Sequence, residues 1–187
     1  MSRAATVESG ERLRLFLALR LPDEILDRLL EWQRRELEDV PKTRVVPRES
    51  LHATLAFLGH RPADELDGIL GALRGAAEAA ERPLLSLRGY RETRSVGMLT
   101  FDDEGERAGS LAHDLHARLE ALGVYERERR KWLPHVTILR FRERPGVQPE
   151  LPALEPFAPS DAAAYLSRLR PGGAQYEVLE SMALGGR

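Results

Sequence analysis

The sequence predicts an α+β fold in which several strands are joined by short turns rather than by helices. Three observations lead to this prediction. Segments of alternating apolar residues recur along the chain, three amphipathic helical segments lie between them, and turn-forming residues separate two strand pairs. A doubly wound parallel sheet needs a long crossover between its strands, so we expect antiparallel or mixed sheets instead.

The first half of the chain alternates strands with helices. Four leucines alternate along residues 12–20 among mostly apolar neighbours, which predicts a strand buried on both faces. Pro22, followed by two acidic residues, begins a helix, and Pro41 lies just beyond its end. The predicted elements are strand 12–20, a helix from about 23 to 38, a short strand 43–46, a strand 51–58 that ends at Gly59, and a helix 62–80.

The second half of the chain adds two strand pairs around one helix. Gly123 provides a C-terminal stop for that helix, and Pro171 with two following glycines predicts a hairpin turn. The proline-rich segment 144–160 is expected to be a loop. The predicted elements are paired strands 83–90 and 94–101, a helix 106–122, an extended segment 132–141, and paired strands 162–169 and 175–183.

Composition limits the possible classes of protein. At 187 residues the chain suits one domain, and we expect a flexible N-terminus at residues 1–11 followed by a single domain at 12–187. The absence of cysteine excludes disulfides, thiolate catalysis and cysteine-bound zinc, and fits a reducing cytoplasm. A net charge of −2 argues against a broad nucleic-acid footprint, and we expect neither a membrane span nor a secretory signal.

One tripeptide pattern occurs twice, each time inside a predicted strand. His52 and Thr54 flank an alanine in the first copy, and His135 and Thr137 flank a valine in the second. Because side chains alternate faces along a strand, each histidine points the same way as its threonine. If two halves of the chain pack with approximate twofold symmetry, two imidazoles and two hydroxyls meet around one cleft.

This constellation suits the cleavage of a phosphodiester. One imidazole can take a proton from water while the other donates a proton to the leaving oxygen. The threonine hydroxyls can donate hydrogen bonds to the phosphate oxygens on which charge develops, and no metal is needed. A single motif is more typical of a buried histidine with structural hydrogen bonds, and the repeat by itself leaves a structural and a catalytic role equally open.

The chain resembles the two-histidine (2H) phosphoesterase superfamily, and within it the RNA 2′,3′-cyclic phosphodiesterases, also called 2′-5′ RNA ligase-like proteins. The resemblance extends from about Arg12 to Leu184. Two segments are similar to the family's signature motifs, and others to its opening strand and closing hairpin. The matching segments are 51–59 and 134–140 for the signatures, 14–22 for the opening strand and helix start, and 165–169 with 173–176 for the hairpin.

The resemblance implies a bilobal fold, in which two pseudo-symmetric lobes of antiparallel or mixed sheet with helices surround a central cleft. It implies that His52 and His135 are the catalytic pair and that Thr54 and Thr137 bind phosphate oxygens. By family analogy His52 is the acid for the leaving 3′ oxygen and His135 the base for water, although the residues alone do not assign these roles. The implied reaction, without metal or cofactor, hydrolyses a 2′,3′-cyclic phosphate on RNA or a nucleotide to a 2′-phosphate. Reverse 2′-5′ ligation uses the same groups.

Three further residues near the motifs carry expectations. Arg140 matches a basic residue of the second signature and is expected to bind substrate, but it alternates out of phase with His135 and needs a bend to reach the cleft. Phe57 could stack a base, but it also alternates away from His52, so we expect it in the core. Ala56 departs from the family, whose members often carry arginine or another large residue there, which affects the grip on a second nucleotide.

Other polar residues are expected to lie at the surface. We expect His113 and His116 to be exposed on the third helix, and His60 to lie in a surface loop near the cleft. The basic residues between Arg127 and Lys131 precede the second motif. Such a run is typical of a solvated segment, although here it could steer an RNA end.

Two alternatives to the hydrolysis of RNA 2′,3′-cyclic phosphates remain. The same machinery could act on another cyclic or 2′-5′ substrate, and an RNA-end binding module without turnover is a different class of function. We expect a cytoplasmic monomer that acts in RNA processing. Its expected partners are RNA ends or nucleotides bearing a 2′,3′-cyclic phosphate, without a membrane.

Overall fold

The computed structural model describes residues 11–185, so the expected flexible N-terminus lies outside the described residues except for Glu11. The chain forms two four-stranded sheets in which every strand pairing is antiparallel, and the predicted α+β fold is therefore confirmed. The elements are β1 (Arg12–Arg20), α1 (Asp23–Glu36), β2 (Thr43–Val45), β3 (His52–Pro62), α2 (Leu66–Ala79), β4 (Leu85–Glu92), β5 (Val96–Asp103), α3 (Arg107–Ala121), β6 (His135–Phe141), β7 (Asp161–Arg170) and β8 (Gly173–Ala183).

The first sheet has the strand order β3-β1-β7-β8, and the second sheet has the order β2-β6-β5-β4. The two lobes are therefore not successive halves of the sequence. The early strand β2 joins the second sheet, and the C-terminal hairpin β7–β8 returns to the first. Each sheet holds one of the two motif strands, β3 in the first and β6 in the second.

One continuous apolar core runs beneath both sheets. The alternate leucines from Leu13 to Leu19 on β1 point into this core, as do Leu73 of α2 and Leu115 of α3. The other face of β1 contributes to a smaller cluster, which comprises Phe16, Ala18, Ala163 and Tyr165, with Tyr176 packed against it. β1 is thus buried on both faces, as its composition predicts.

The end of β3 differs from the prediction. Gly59 does not terminate the strand but pairs with Leu15 of β1, and the strand continues to Pro62. Gly59 has a φ of 67°, a conformation that glycine adopts without steric cost, and this allows the strand to bend and continue. The helix α2 accordingly begins at Leu66, after a 3₁₀ turn over Ala63–Glu65.

Two findings are limited to the described part of the chain. No helix between residues 11 and 185 is long and apolar enough to cross a membrane. Over the same residues, no group of three or more His, Cys, Asp or Glu side chains is arranged to hold a metal ion.

Candidate active site

The two motif strands meet at a cleft between the sheets. β3 is the edge strand of the first sheet and lies against β6 of the second sheet. The cleft contains a cavity of about 200 Å³. Its described lining residues are Arg14, Phe16, Ser50, His52, Thr54, Phe57, His135, Thr137, Arg140 and Tyr176. The structure therefore brings all five predicted site residues together in one cavity.

Aromatic rings fix the position of His52. Its imidazole stacks on Phe16 at a centroid distance of 4.8 Å, and Phe16 stacks in turn on Tyr165 at 4.7 Å. Tyr176 approaches the imidazole edge-on at 5.6 Å. These contacts leave the ring little freedom to rotate and exclude water from one of its faces.

The same packing keeps His52 uncharged. Burial lowers the pKa of His52 to about 4, and the positive charge of Arg140 acts in the same direction. The backbone of Ser50 opposes this shift, but Nδ1 of His52 makes no hydrogen bond of normal geometry to any residue between 11 and 185. At pH 7 the imidazole is therefore neutral unless an anion binds beside it.

A hydrogen bond to the nearby backbone orients the ring of His135. Its Nδ1 lies 2.9 Å from the carbonyl oxygen of Leu133, two residues earlier. A carbonyl oxygen can only accept a hydrogen bond, so Nδ1 carries the proton and Nε2 of the neutral ring carries the lone pair. This tautomer is suited to accept a proton at Nε2.

The two threonines share the cavity face with their histidines, as strand alternation predicts. Thr54 and Thr137 are half-buried, between buried neighbours on either side. The backbone carbonyl of Thr54 accepts a hydrogen bond from the indole nitrogen of Trp132 at 2.9 Å. Because Trp132 lies just before the second motif strand, this bond ties the two motifs together.

Bulges in both motif strands shift the side-chain alternation by one residue. In β3 the extra residue within the motif is Leu55, which the register with β1 skips, and a second bulge further along skips Leu58. In β6 it is Ile138, which the register with β5 skips. The residues two positions beyond Leu55 and Ile138 therefore turn towards the cleft, and these equivalent residues are Phe57 and Arg140.

The bulges determine the positions of three residues for which the sequence led to an expectation. The expectation that Phe57 belongs to the core is wrong, because half of its surface is exposed and its ring lines the cavity. Arg140 obtains the bend that it needs and reaches the cavity. Ala56 lies in the core with an exposure of 2%, so its side chain does not form part of the cleft surface.

The bulges at Leu55 and Ile138 are each contacted by a buried polar side chain from a helix. His116 of α3 donates from Nε2 to the carbonyl oxygen of Leu55 at 2.7 Å. Gln33 of α1 donates from Nε2 to the carbonyl oxygens of Ile138 at 3.0 Å and Val46 at 3.1 Å. A bulge interrupts the ladder of backbone hydrogen bonds, and His116 supplies a side-chain donor to the carbonyl at Leu55. The carbonyl of Ile138 also accepts from the backbone N–H of Val46 at 3.0 Å, so Gln33 is a second donor to it. The orientation of the residues beyond the bulges is thereby fixed.

The expectation that His116 is exposed is wrong, since its exposure is only 6%. It lies on the face of α3 that packs on the core, where its ring contacts Tyr125 at a centroid distance of 4.8 Å. His113, by contrast, is exposed as expected and contacts Arg127. His60 is exposed but belongs to β3 rather than to a loop.

Sequence reasoning missed Arg14, Phe16, Ser50 and Tyr176 as cavity residues. The guanidinium carbon of Arg14 lies 4.8 Å from the centroid of Phe57, and its Nη1 donates to Ser167 Oγ at 2.5 Å. The sequence does indicate that Arg14 and Phe16 face away from the main core, because they alternate with the core leucines of β1. An arginine on a strand that is otherwise buried requires a polar surface or cavity beside it.

Three of the four basic residues before the second motif form surface ion pairs within the described part of the chain. Arg127 lies 3.1 Å from Glu120, and Lys131 pairs with Glu106. None of the residues between Arg127 and Lys131 lines the cavity. These contacts agree with a solvated segment, and a role in steering RNA stays a prediction.

Two similar sheets, each contributing one His-x-Thr strand to a shared cavity, define the class of two-histidine phosphoesterases. The family model described as the 2′-5′ RNA ligase superfamily matches residues 21–169. This chain belongs to that superfamily.

Curated and solved relatives agree with this assignment. An RNA 2′,3′-cyclic phosphodiesterase of Thermus thermophilus is 34% identical over 183 residues, which cover 93% of this chain and 91% of the relative. The crystal structure of TT0787 from the same organism has a TM-score of 0.77 at 31% identity, covering 94% of this chain and 100% of that one. Escherichia coli LigT complexed with 3′-AMP has a TM-score of 0.78 at 25% identity, covering 94% and 99%.

Proposed function

We propose that this protein hydrolyses 2′,3′-cyclic phosphates on RNA ends or nucleotides and leaves a 2′-phosphate. The observation that carries the proposal is the meeting of two histidines and two threonines, from two separate sheets, in one cavity. A relative with 34% identity is named an RNA 2′,3′-cyclic phosphodiesterase, and a structural relative binds 3′-AMP. Both names fit a cavity that accepts a phosphate attached to a ribose.

We assign the role of general base to His135 and that of general acid to His52. The neutral His135 takes a proton from water at Nε2 while the water oxygen attacks phosphorus. The bond between phosphorus and O3′ breaks, and protonated His52 gives its proton to O3′. The product carries a 2′-phosphate and a free 3′-hydroxyl.

His52 gains its proton only when substrate binds. Its pKa of about 4 leaves it neutral at pH 7, which is unsuitable for an acid. An anionic phosphate beside the ring favours the imidazolium and raises the pKa, so that the ring takes up a proton from solvent on binding. Thr54, Thr137 and Arg140 then donate to the phosphate oxygens, where negative charge increases in the transition state.

The same groups can act in the opposite direction, so 2′-5′ ligation of RNA ends is the reverse of the proposed reaction. We propose a cytoplasmic monomer acting in RNA processing, without cofactor or metal. Another cyclic or 2′-5′ substrate is the alternative that keeps the machinery unchanged. An RNA-end binding module without turnover is the alternative from another class.

Product analysis tests the proposed reaction directly. The protein is incubated in EDTA with a nucleoside 2′,3′-cyclic phosphate and with a short RNA that ends in one, and the products are compared with 2′- and 3′-phosphate standards. We expect the 2′-phosphate alone, and undiminished activity in EDTA. A 3′-phosphate product would overturn the assignment of the leaving oxygen, and loss of activity on chelation would overturn the metal-independent mechanism.

An NMR titration of His52 tests the proposed protonation on binding. In the free protein we expect its imidazole to titrate near pH 4, because burial disfavours the charged ring. With saturating inorganic phosphate we expect the midpoint to move upwards. The signal is assigned by its absence in His52→Gln, and exposed His113 serves as an internal reference. A midpoint that stays the same with phosphate would contradict the mechanism.

A further inference from the structure

The cleft-facing side of β1 and β3 extends beyond the catalytic cavity. Residues that pair directly across an antiparallel ladder project from the same face of the sheet. The register therefore aligns a series of side chains from the motif outwards on one face. The pairs, in order, are Arg20 with His52, Ala18 with Thr54, Phe16 with Phe57, Arg14 with His60 and Arg12 with Pro62.

The positive charge on this face is unevenly distributed. At one end Arg20 forms an ion pair with Asp161 at 3.1 Å, which neutralises it. At the other end Arg12 and Arg14 form no ion pair with a carboxylate among residues 11–185. Arg12 donates to the carbonyl oxygen of His60 at 2.7 Å, and this bond holds it along the strand edge while leaving further N–H groups available. The face thus becomes more basic in the direction from the cavity towards Arg12.

Along this direction an aromatic ring is followed by two arginines. The exposed ring of Phe57 lies next to the cavity, and the Arg14 guanidinium lies over it, 4.8 Å from the centroid. The Cα atom of Arg12 lies two residues further along the extended strand, at about 7 Å. Two arginines thus project from the same face of one strand, one beyond the other. An aromatic ring for stacking beside positive charge that follows the backbone is the arrangement that binds single-stranded nucleic acid.

We propose that this face, formed by Phe57, Arg14 and Arg12, binds the single-stranded RNA that precedes the cyclic phosphate. The terminal nucleoside lies against Phe57, the phosphate on its 5′ side contacts Arg14, and the next phosphate contacts Arg12. The proposal rests on the proposed function and specifies its substrate class as an RNA end rather than a free nucleotide. It also assigns the binding of the second nucleotide to residues of β1 instead of the position of Ala56.

Substrate length and Arg12→Gln together test the proposal. The substrates are adenosine 2′,3′-cyclic phosphate and a trinucleotide that ends in the same group. We expect the unmodified protein to have a higher kcat/KM for the trinucleotide. Arg12→Gln should lower kcat/KM for the trinucleotide about fivefold, which corresponds to about 1 kcal/mol, and leave the mononucleotide unchanged. Arg34→Gln, on the outer surface of α1, makes the same change in charge and should affect neither substrate.

Salt dependence provides a second measurement. Each phosphate contact to a single strand adds about 0.7 to the slope of log affinity against log salt, so Arg12→Gln should reduce that slope by about this amount for the trinucleotide. We call the proposed binding face of Phe57, Arg14 and Arg12 the RNA path. Equal activity of the unmodified protein on both substrates would overturn the RNA path while leaving the proposed function intact. The RNA path would also be overturned if Arg12→Gln lowered kcat/KM equally for the trinucleotide and the mononucleotide.

Failure of the proposed function is distinguishable from failure of the RNA path. If neither substrate is hydrolysed, the affinity of a 5′-labelled trinucleotide is measured by fluorescence anisotropy instead. Tighter binding than the mononucleotide, weakened in Arg12→Gln but not in Arg34→Gln, supports the path. Binding that is independent of length, or unaffected by Arg12→Gln, overturns it.

Discussion

Replacement of either His52 or His135 by alanine is expected to lower kcat by about 10²–10⁴-fold, since each removes one proton transfer from the transition state. The loss should appear in kcat more than in KM, because the phosphate retains its contacts with the threonines and with Arg140. Neither change should unfold the chain, as both rings line the cavity rather than fill the core. Steady-state kinetics on a nucleoside 2′,3′-cyclic phosphate measure the effect, and circular dichroism checks the fold.

His113→Ala provides the matched control, because His113 is an exposed histidine outside the cavity. It should retain full activity. Near-normal turnover in either cavity variant would exclude that histidine as acid or base.

A substrate with a good leaving group separates the two roles. A nitrophenolate leaves phosphorus without protonation, so a nitrophenyl phosphodiester does not need the general acid. On this substrate the defect of His52→Ala should largely disappear, whereas that of His135→Ala should persist. The opposite pattern would exchange the roles of the two histidines.

The alternation of side chains along the sequence located the motif strands and the four residues closest to the proposed chemistry. It succeeded because His52, Thr54, His135 and Thr137 all precede the bulges, where a strand keeps its period of two. The bounds of β1 agree with the prediction for the same reason, since its own alternation is uninterrupted. The site assignments themselves stay predictions.

The errors arose where long-range contacts override the local pattern. A bulge at Leu55 reverses the phase of β3, and the burial of two consecutive residues after Thr54 is its consequence. Nothing in the neighbouring sequence indicates this bulge, because the donor that stabilises it, His116, lies on a distant helix. His116 itself lies in line with Ala112 and Leu119 on the core-facing side of α3, and the same contact satisfies its polar ring there.

The bulges at Leu55 and Ile138 are supported by different kinds of residue in the two lobes. A neutral amide, Gln33, supports the bulge before Arg140, whereas an imidazole, His116, supports the bulge before Phe57. The side chains that the two bulges turn into the cavity differ as well, since Arg140 is a cation and Phe57 is an aromatic ring. The backbone is therefore pseudo-symmetric while the cavity is not, as an asymmetric substrate with a nucleoside on one side of the phosphate requires.

Replacement of Thr54 or Thr137 by valine is expected to lower kcat by about 10²-fold. Valine keeps the shape of threonine and removes only the hydroxyl, and the loss of one donor to a developing oxyanion typically costs about 10²–10³-fold. The effect should exceed any change in KM, because the negative charge on the phosphate oxygens increases as water attacks. Thr43→Val removes a hydroxyl that makes one structural hydrogen bond outside the cavity, and it should leave kcat unchanged.

The double variant distinguishes two arrangements of the threonines. If the hydroxyls donate to different phosphate oxygens, their effects on the activation free energy should add to within about 0.5 kcal/mol. If both donate to one oxygen, the double variant should deviate from the sum, since the contribution of each donor then depends on the presence of the other. Full activity in both single variants would remove the threonines from the mechanism and leave Arg140 as the principal stabiliser of the phosphate charge.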